Sequence, residues 1–280
     1  MLTRYRTFSA AILATVSVAV PYGSRLLAQD LLQGWTASQK TGAVVLVKVK
    51  EGPVGTTLSL KSVSGKLITA IAASSPPSEN TTYRHFYDYL DSSSAGLANG
   101  ATYELRISPQ EAASNVQRVL EIDAVIFEDG TAEGLQGDVD FMNAKRLGRV
   151  FETERLRSLL ARPDAQPTDL ETLAGGIGTL PNSVEEALAS LAGVDLSGLS
   201  LAKLRSRGGT DNQRAFLSGV RHTREEALWK VKETQELPET SADPGAKTRS
   251  ASILALKQAY EEKTGMYRGL GQRLLGRLPQ

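Results

Sequence analysis

Val119-Leu120-Glu121-Ile122-Asp123-Ala124-Val125-Ile126-Phe127 is the stretch on which the reading of the fold turns. β-Branched and aromatic residues dominate it, and Asp129-Gly130 follows as a tight-turn signal. It is too short for a typical helix and too apolar for a loop, so it predicts a strand. Shorter runs of the same kind precede it. Gly42 to Lys50 (GAVVLVKVK) ends in an alternation that predicts Val45, Val47 and Val49 on one face, with Lys48 and Lys50 on the other. Gly52-Pro53 breaks that run, and Thr56 to Leu60 and Leu67 to Ala72 follow, joined through Ser64-Gly65. Tyr103, Leu105 and Ile107 alternate with Glu104 and Arg106, the pattern of a half-buried strand. Loops are expected at Ser74 to Asn80 and at Asp91 to Gly100.

From about Asp138 the period becomes helical. Phe141, Ala144, Leu147, Val150, Phe151, Leu156, Leu159 and Leu160 form a stripe that Arg162-Pro163 stops. Ser183-Val184-Glu185-Glu186 is a capping box that opens a short helix. Another turn or two is expected around Leu199 to Leu204, ending at Gly208-Gly209. Thr210 to Gln213 repeats the capping pattern and starts a longer helix through Phe216, Val220, Ala227, Leu228 and Val231. A last helix carries Ile253, Leu256, Tyr260, Thr264, Tyr267, Leu270 and Leu274.

The expected class is α+β, strands first and helices after. Residues 30–137 read as an antiparallel β-sandwich, and residues 138–280 as a helical region of three to four helices with linkers near 163–180 and 237–247. In strand count and alternation alone the sandwich resembles immunoglobulin-like or fibronectin-like modules. That resemblance implies a general shape and no function.

Residues 1–29 read as a signal peptide. Arg4 and Arg6 precede the uncharged run Phe8 to Val20, which Pro21 and Gly23 break. About thirteen apolar residues fall short of the roughly twenty needed to span a bilayer. Cleavage is expected between Gly23 and Asp30. The chain is therefore placed outside the cytoplasm, in the periplasm or the medium, with no transmembrane segment after signal removal. Cysteine is absent, which excludes disulfides, thiolate metal sites and a cysteine nucleophile, and suits a bacterial exported protein. With 32 basic and 31 acidic side chains the net charge is +1, so no whole-chain field recruits nucleic acid.

Catalytic signatures are missing: no Gly-x-Ser-x-Gly elbow, no HExxH helix and no GxxxxGK[ST] loop. The two histidines, His85 and His222, lie far apart in the chain, and His222 and Glu225 share a helix face that solvation explains. Gly175-Gly176-Ile177-Gly178 lacks the strand and lysine of a phosphate loop and reads as a connector. Leu237-Pro238-Glu239-Thr240-Ser241 departs from a wall-sorting signal at its fifth residue and has no apolar tail.

Two clusters stand out. Tyr83, His85, Tyr87 and Tyr89 would share one face of a strand, as a ligand-stacking row or as core aromatics. Glu128, Asp129, Asp138 and Asp140 gather oxygens of the kind calcium prefers, although a turn and a helix N-terminus also explain them. No other cofactor is implied. The combination points to a non-catalytic exported binding or interaction protein with a protein or glycan partner in the cell envelope. The alternatives are a glycan hydrolase working through paired carboxylates and a purely structural envelope protein.

Overall fold

The computed structural model describes residues 34–75, 83–89, 96–115, 118–161, 170–194 and 210–238, together with 248, 251–252, 254–260 and 262. The expected signal peptide 1–29, residues 76–80 and 91–95 of the two expected loops, residues 163–169 of the first linker and 239–247 of the second, the turns around 199–209 and the chain beyond 262 lie outside them. The rest of the first linker is not a plain connector, because Leu170–Ile177 is helical. Strands dominate the first half, with one short helix among them, and helices follow in the second. The strands are β1 (Thr36–Gln39), β2 (Val44–Gly52), β3 (Gly55–Ser62), β4 (Ile68–Ser75), β5 (Tyr83–Asp88), β6 (Thr102–Ile107), β7 (Val119–Phe127) and β8 (Ala132–Gly134). The helices are α1 (Pro109–Ser114), α2 (Gln136–Leu160), α3 (Leu170–Ile177), α4 (Val184–Ser190) and α5 (Thr210–Gln235). Among the described residues no helix is long and apolar enough to cross a membrane.

The strands form two sheets. The larger has the order β1-β7-β4-β5, with β8 also paired to β7, and the smaller has the order β2-β3-β6. The expectation of a wholly antiparallel arrangement is corrected at one edge, where β1 runs parallel to β7. Thr-Ala-Ser-Gln carries too little apolar pattern to announce β1. Its partner β7 supplies the hydrophobic residues for both.

Bulges decide which side chains face inward. In β7 the register passes from Ala124 opposite Ala72 to Ile122 opposite Ala73, leaving Asp123 as the extra residue. Alternation therefore changes phase there. Leu120 and Ile122 before the bulge, and Val125 and Phe127 after it, all enter the cluster shared with Val44, Val49, Leu58, Leu60, Leu105 and Ile107 of the smaller sheet. Ala124 and Ile126 face the other way, toward α2. Strand β2 bulges in the same manner at Val47, between Leu46 and Lys48. The single valine face expected there is thus split: Val44 and Val49 are fully buried, while Val45 and Val47 are half-buried.

The outer face of the larger sheet is lined by Ala70, Ala72, Ala124 and Ile126, small enough for α2 to settle on it through Val139 and Met142. Helix α2 then continues past the sheet. Its Leu147, Val150 and Phe151 join Leu188 and Leu191 and α5's Phe216 and Val220, and its Leu156 and Leu160 join α3, α5, Leu256 and Tyr260. One helix thus contributes to both halves of the chain. The capping box at Ser183 forms as expected on one side, its Oγ accepting from the Glu186 N–H at 3.2 Å. The Glu186 carboxylate accepts instead from the Asn182 N–H, at 2.7 Å.

Helices α2 and α5 meet backbone to backbone at two glycines. A Cβ added to Gly148 would strike the Phe216 carbonyl oxygen, and one added to Gly219 would strike that of Lys145. Gly219→Ala should therefore lower stability by about 2 kcal/mol despite alanine's better helix propensity, because the helices must separate. Gly175→Ala, where nothing lies within 4 Å, serves as the control and should be neutral or slightly stabilising. Urea unfolding of the two variants checks the contrast.

Candidate functional site

The sheets are in contact through β1 and β2 on one side. On the other, β5 ends the larger sheet and β6 ends the smaller. Between these two edges lies a cleft of about 480 Å³ lined by Arg84 to Tyr87 and by Tyr103 to Arg106. Its walls follow from alternation along β5. Phe86 faces α2 and stacks on Phe141, with ring centroids 4.3 Å apart. Asp88 accepts two hydrogen bonds from the Arg146 guanidinium, each 2.8 Å. His85 and Tyr87 face the opposite way, toward the space between the sheets.

Tyr87, Tyr89 and Tyr103 form a ring cluster at one end of this cleft. Tyr87 lies 4.2 Å from Tyr103 and 4.6 Å from Tyr89, centroid to centroid. Tyr89 is buried, and Tyr87 and Tyr103 are half-buried. Burial, with the neighbouring Tyr87 phenol adding to it, pushes the Tyr103 hydroxyl up to about 12. Burial raises Tyr89 in the same way, with Tyr87 and Tyr103 adding to it. The Tyr89 and Tyr103 phenols thus stay neutral over the physiological range. At the other end, His85 Nε2 lies 2.7 Å from the Glu111 carboxylate, which also accepts from Ser75 Oγ at 2.5 Å. Glu111 stands in the first turn of α1, whose N-cap Ser108 accepts from the Glu111 N–H. Arg84, with its side chain 60% exposed, and the exposed Arg106 and Glu104 supply the charge at the rim.

Of the aromatic row read in the sequence, His85 and Tyr87 line the cleft and Tyr89 sits behind Tyr87. Tyr83 begins β5 opposite Ser75. Arg84, Tyr103, Glu104 and Arg106 complete the site. Three of them, Tyr103, Glu104 and Arg106, were legible as members of a half-buried strand, but nothing in one dimension places that strand beside β5.

The four acids are held in two places. Asp129, in the turn after β7, pairs with Lys66 at 2.8 Å and accepts from the Thr131 N–H, also at 2.8 Å, which holds its carboxyl well below the usual range. Glu128 beside it is exposed. Asp138 and Asp140 lie in the first turns of α2, where Asp140 accepts from the Gln136 side chain at 2.8 Å. Among the described residues no three His, Cys, Asp or Glu side chains gather as a metal-holding group.

Asp138 has a different neighbour, the bulge residue Asp123. Both are buried, and desolvation raises both carboxyls above the usual range. Asp123 pushes Asp138 further up, while Arg84, 3.7 Å from the Asp138 carboxylate, draws it down. Asp138 and Asp140 line a second cleft of about 570 Å³ with Arg84, Phe141 and the start of α5. His222 on α5 lies exposed and is held below its usual value by partial desolvation first and by Arg149 and Lys145 next, which favours the neutral ring.

No family model, no curated protein and no solved structure matches the chain.

The raised carboxyls give a signed pH dependence. A folded-state pKa above the unfolded one means that the folded form binds the proton more tightly. The stability tied to that proton is therefore complete below the ordinary aspartate range and is lost as pH rises through the raised values. Replacing Asp123 and Asp138 together by Asn should raise Tm relative to wild type at pH 7. That difference should shrink steadily as the pH is brought down toward about 4. Thermal melts of both proteins across that range check it.

Proposed function

We propose that this chain is an exported, non-catalytic binding protein that engages a protein or glycan of the cell envelope through the β5–β6 cleft. In this reading the two sheets form a β-sandwich of immunoglobulin-like general shape. The single observation that carries the proposal is the open pair of sheet edges, with tyrosine rings at one end and two arginines at its rim. Half-buried tyrosines offer flat apolar area at little conformational cost, and arginine adds directional hydrogen bonds, the residue types that dominate recognition surfaces. The leader motif from Arg4 to Val20 supports work outside the cytoplasm.

The location is tested by sequencing the N-terminus of the mature protein, which should begin between Gly23 and Asp30. Recovery of a cytosolic chain that retains Met1 would remove the export reading. Binding is tested by incubating purified protein with envelope fractions of its own source. An Arg106→Glu, Glu104→Arg double variant should keep its melting temperature and lose retention. Retention equal to that of the wild type would sink the cleft as the binding surface.

A second reading has one observation in its favour. Asp138 and Asp140 line a concave cleft, and burial favours the protonated form of Asp138, which suits a general acid set beside a second carboxyl group. A glycan hydrolase built on this pair should release reducing ends from envelope polysaccharide and lose that activity, by about two to four orders of magnitude, in Asp138→Asn. Wild-type protein without such release returns the cleft to a structural role.

A further inference from the structure

The cleft between β5 and β6 has an unusual wall. It is lined by four consecutive residues of each strand, Arg84-His85-Phe86-Tyr87 and Tyr103-Glu104-Leu105-Arg106. Successive residues of a strand send their side chains to opposite faces. A surface reached by four in a row is therefore the rim of the strand, where main-chain N–H and C=O groups point, and not one of its faces. Among the described residues β5 pairs with β4 alone and β6 with β3 alone. Two strand edges thus turn toward one slot. An edge of this kind is a template for one more strand.

The direction of the two walls follows from their contacts. Tyr87 of β5 meets Tyr103 of β6, and His85 reaches Glu111 just beyond the end of β6. The edges therefore run antiparallel across the slot, which places Arg84 and Arg106 at the same end and the tyrosine rings at the other. The slot carries Arg106 and Arg84 against Glu104; Arg84, 60% exposed, also lies 3.7 Å from Asp138 on its far side, and Glu111 is buried and turned onto His85 and Ser75. A guest that adds main-chain hydrogen bonds and carries carboxylates matches this lining better than a neutral or basic one.

We propose that the slot takes an extended acidic peptide segment, which adds to a sheet edge as a further strand and sets carboxylates against Arg84 and Arg106. The inference rests on the binding-protein reading above and narrows it to one class of partner. Affinity would come from the peptide's main chain. Its register would be fixed by the arginines at one end and by an apolar residue on the Tyr87–Tyr103 pair at the other.

The test uses the intact mature protein and fluorescent eight-residue peptides of alternating valine and glutamate, capped at both ends. Anisotropy should show saturable binding of one peptide per chain. The valine–lysine counterpart should bind about tenfold more weakly or less, and Arg106→Glu should weaken the glutamate peptide by a similar factor at unchanged Tm. N-methylation of the glutamate peptide at either its odd or its even positions should remove binding in at least one of the two forms, because one set of amides must face the protein edge. Amide hydrogen exchange within 84–87 or 103–106 should slow in the complex.

Absence of saturable binding, equal binding of the lysine peptide, or indifference to both methylation patterns would each overturn the proposal. A concentration-dependent dimer that protects the same amides without peptide would also overturn it, by giving the slot to a second copy of the chain. If peptide binding fails while envelope retention still depends on Arg106 and Glu104, only the strand-addition inference falls. If both fail, the cleft is not a binding surface.

Discussion

A guanidinium sealed from solvent holds the two halves of this chain together. Arg146 of α2 is fully buried, donates from Nε and Nη2 to the two oxygens of Asp88 at 2.8 Å, and reaches the Thr69 carbonyl from Nη2 at the same distance. Fork-to-carboxylate geometry of this kind is directional. Losing one partner of such a pair costs about 3–5 kcal/mol, because the other charge stays buried without compensation. Asp88 is the last residue of β5 and Thr69 the bulge residue of β4, between the paired positions Ile68 and Ala70. The contact therefore fixes the outer edge of the larger sheet, not merely the helix. The β5–β6 cleft keeps its shape because one wall is clamped from behind.

A second arginine–carboxylate node holds the far end of the same helix. Glu152 is fully buried and accepts from Arg224 of α5 at 2.9 Å on each oxygen, and from Arg155 at 2.6 and 3.0 Å. Arg224 also reaches the Thr179 carbonyl and Ser190, and Arg155 reaches the carbonyls of Gly176 and Ile177. These carbonyls lie at the end of α3 and the approach to α4, where the chain has little apolar material with which to fix itself. Between the two nodes the glycine crossing at Gly148 and Gly219 brings α2 and α5 to backbone contact. Apolar packing supplies the mass of the core. The charged groups fix where the helices stop sliding.

How far this was legible depends on whether a feature is local. Val119 to Phe127 announced a strand by composition, and the alternation of Tyr103 to Ile107 announced another; both formed. The strand-to-helix division near Asp138 followed from a change of period, and α2 begins two residues earlier. The bulges at Asp123 and Val47 did not announce themselves. An inserted residue leaves composition unchanged and appears only when a partner strand fixes the register. Helix α2 was legible as a helix but its faces were not. Its central turns bury Arg146, Arg149, Glu152 and Glu154 along with the apolar stripe, and a periodicity argument assigns such residues to solvent. The site suffered most. Tyr87 and Tyr103 meet only because β5 and β6 end different sheets, a property of strand order that no spacing in the chain expresses.

The same strand order explains why, among the described residues, one mouth of the two-sheet body is closed and the other is not. On the β1–β2 side the strands are joined by a short connection, Lys40 to Ala43, tied back by hydrogen bonds from the Lys40 N–H to the Ile122 carbonyl and from the Val63 N–H to that of Ala43. Continuity of the chain draws those edges together. On the other side β5 and β6 are separated by residues 89–101, of which Leu97 returns to pair with Ile68 and Ala101 accepts from the Ser62 N–H. These bonds attach the connection to β4 and β3 at the ends of β5 and β6, and not along the rims that face the slot. Exposed edges are commonly blunted by charge. Arg84, Glu104 and Arg106 do that here while leaving main-chain groups open to an extended guest of opposite sign. The residues that discourage indiscriminate strand pairing are thus the ones that would select a partner.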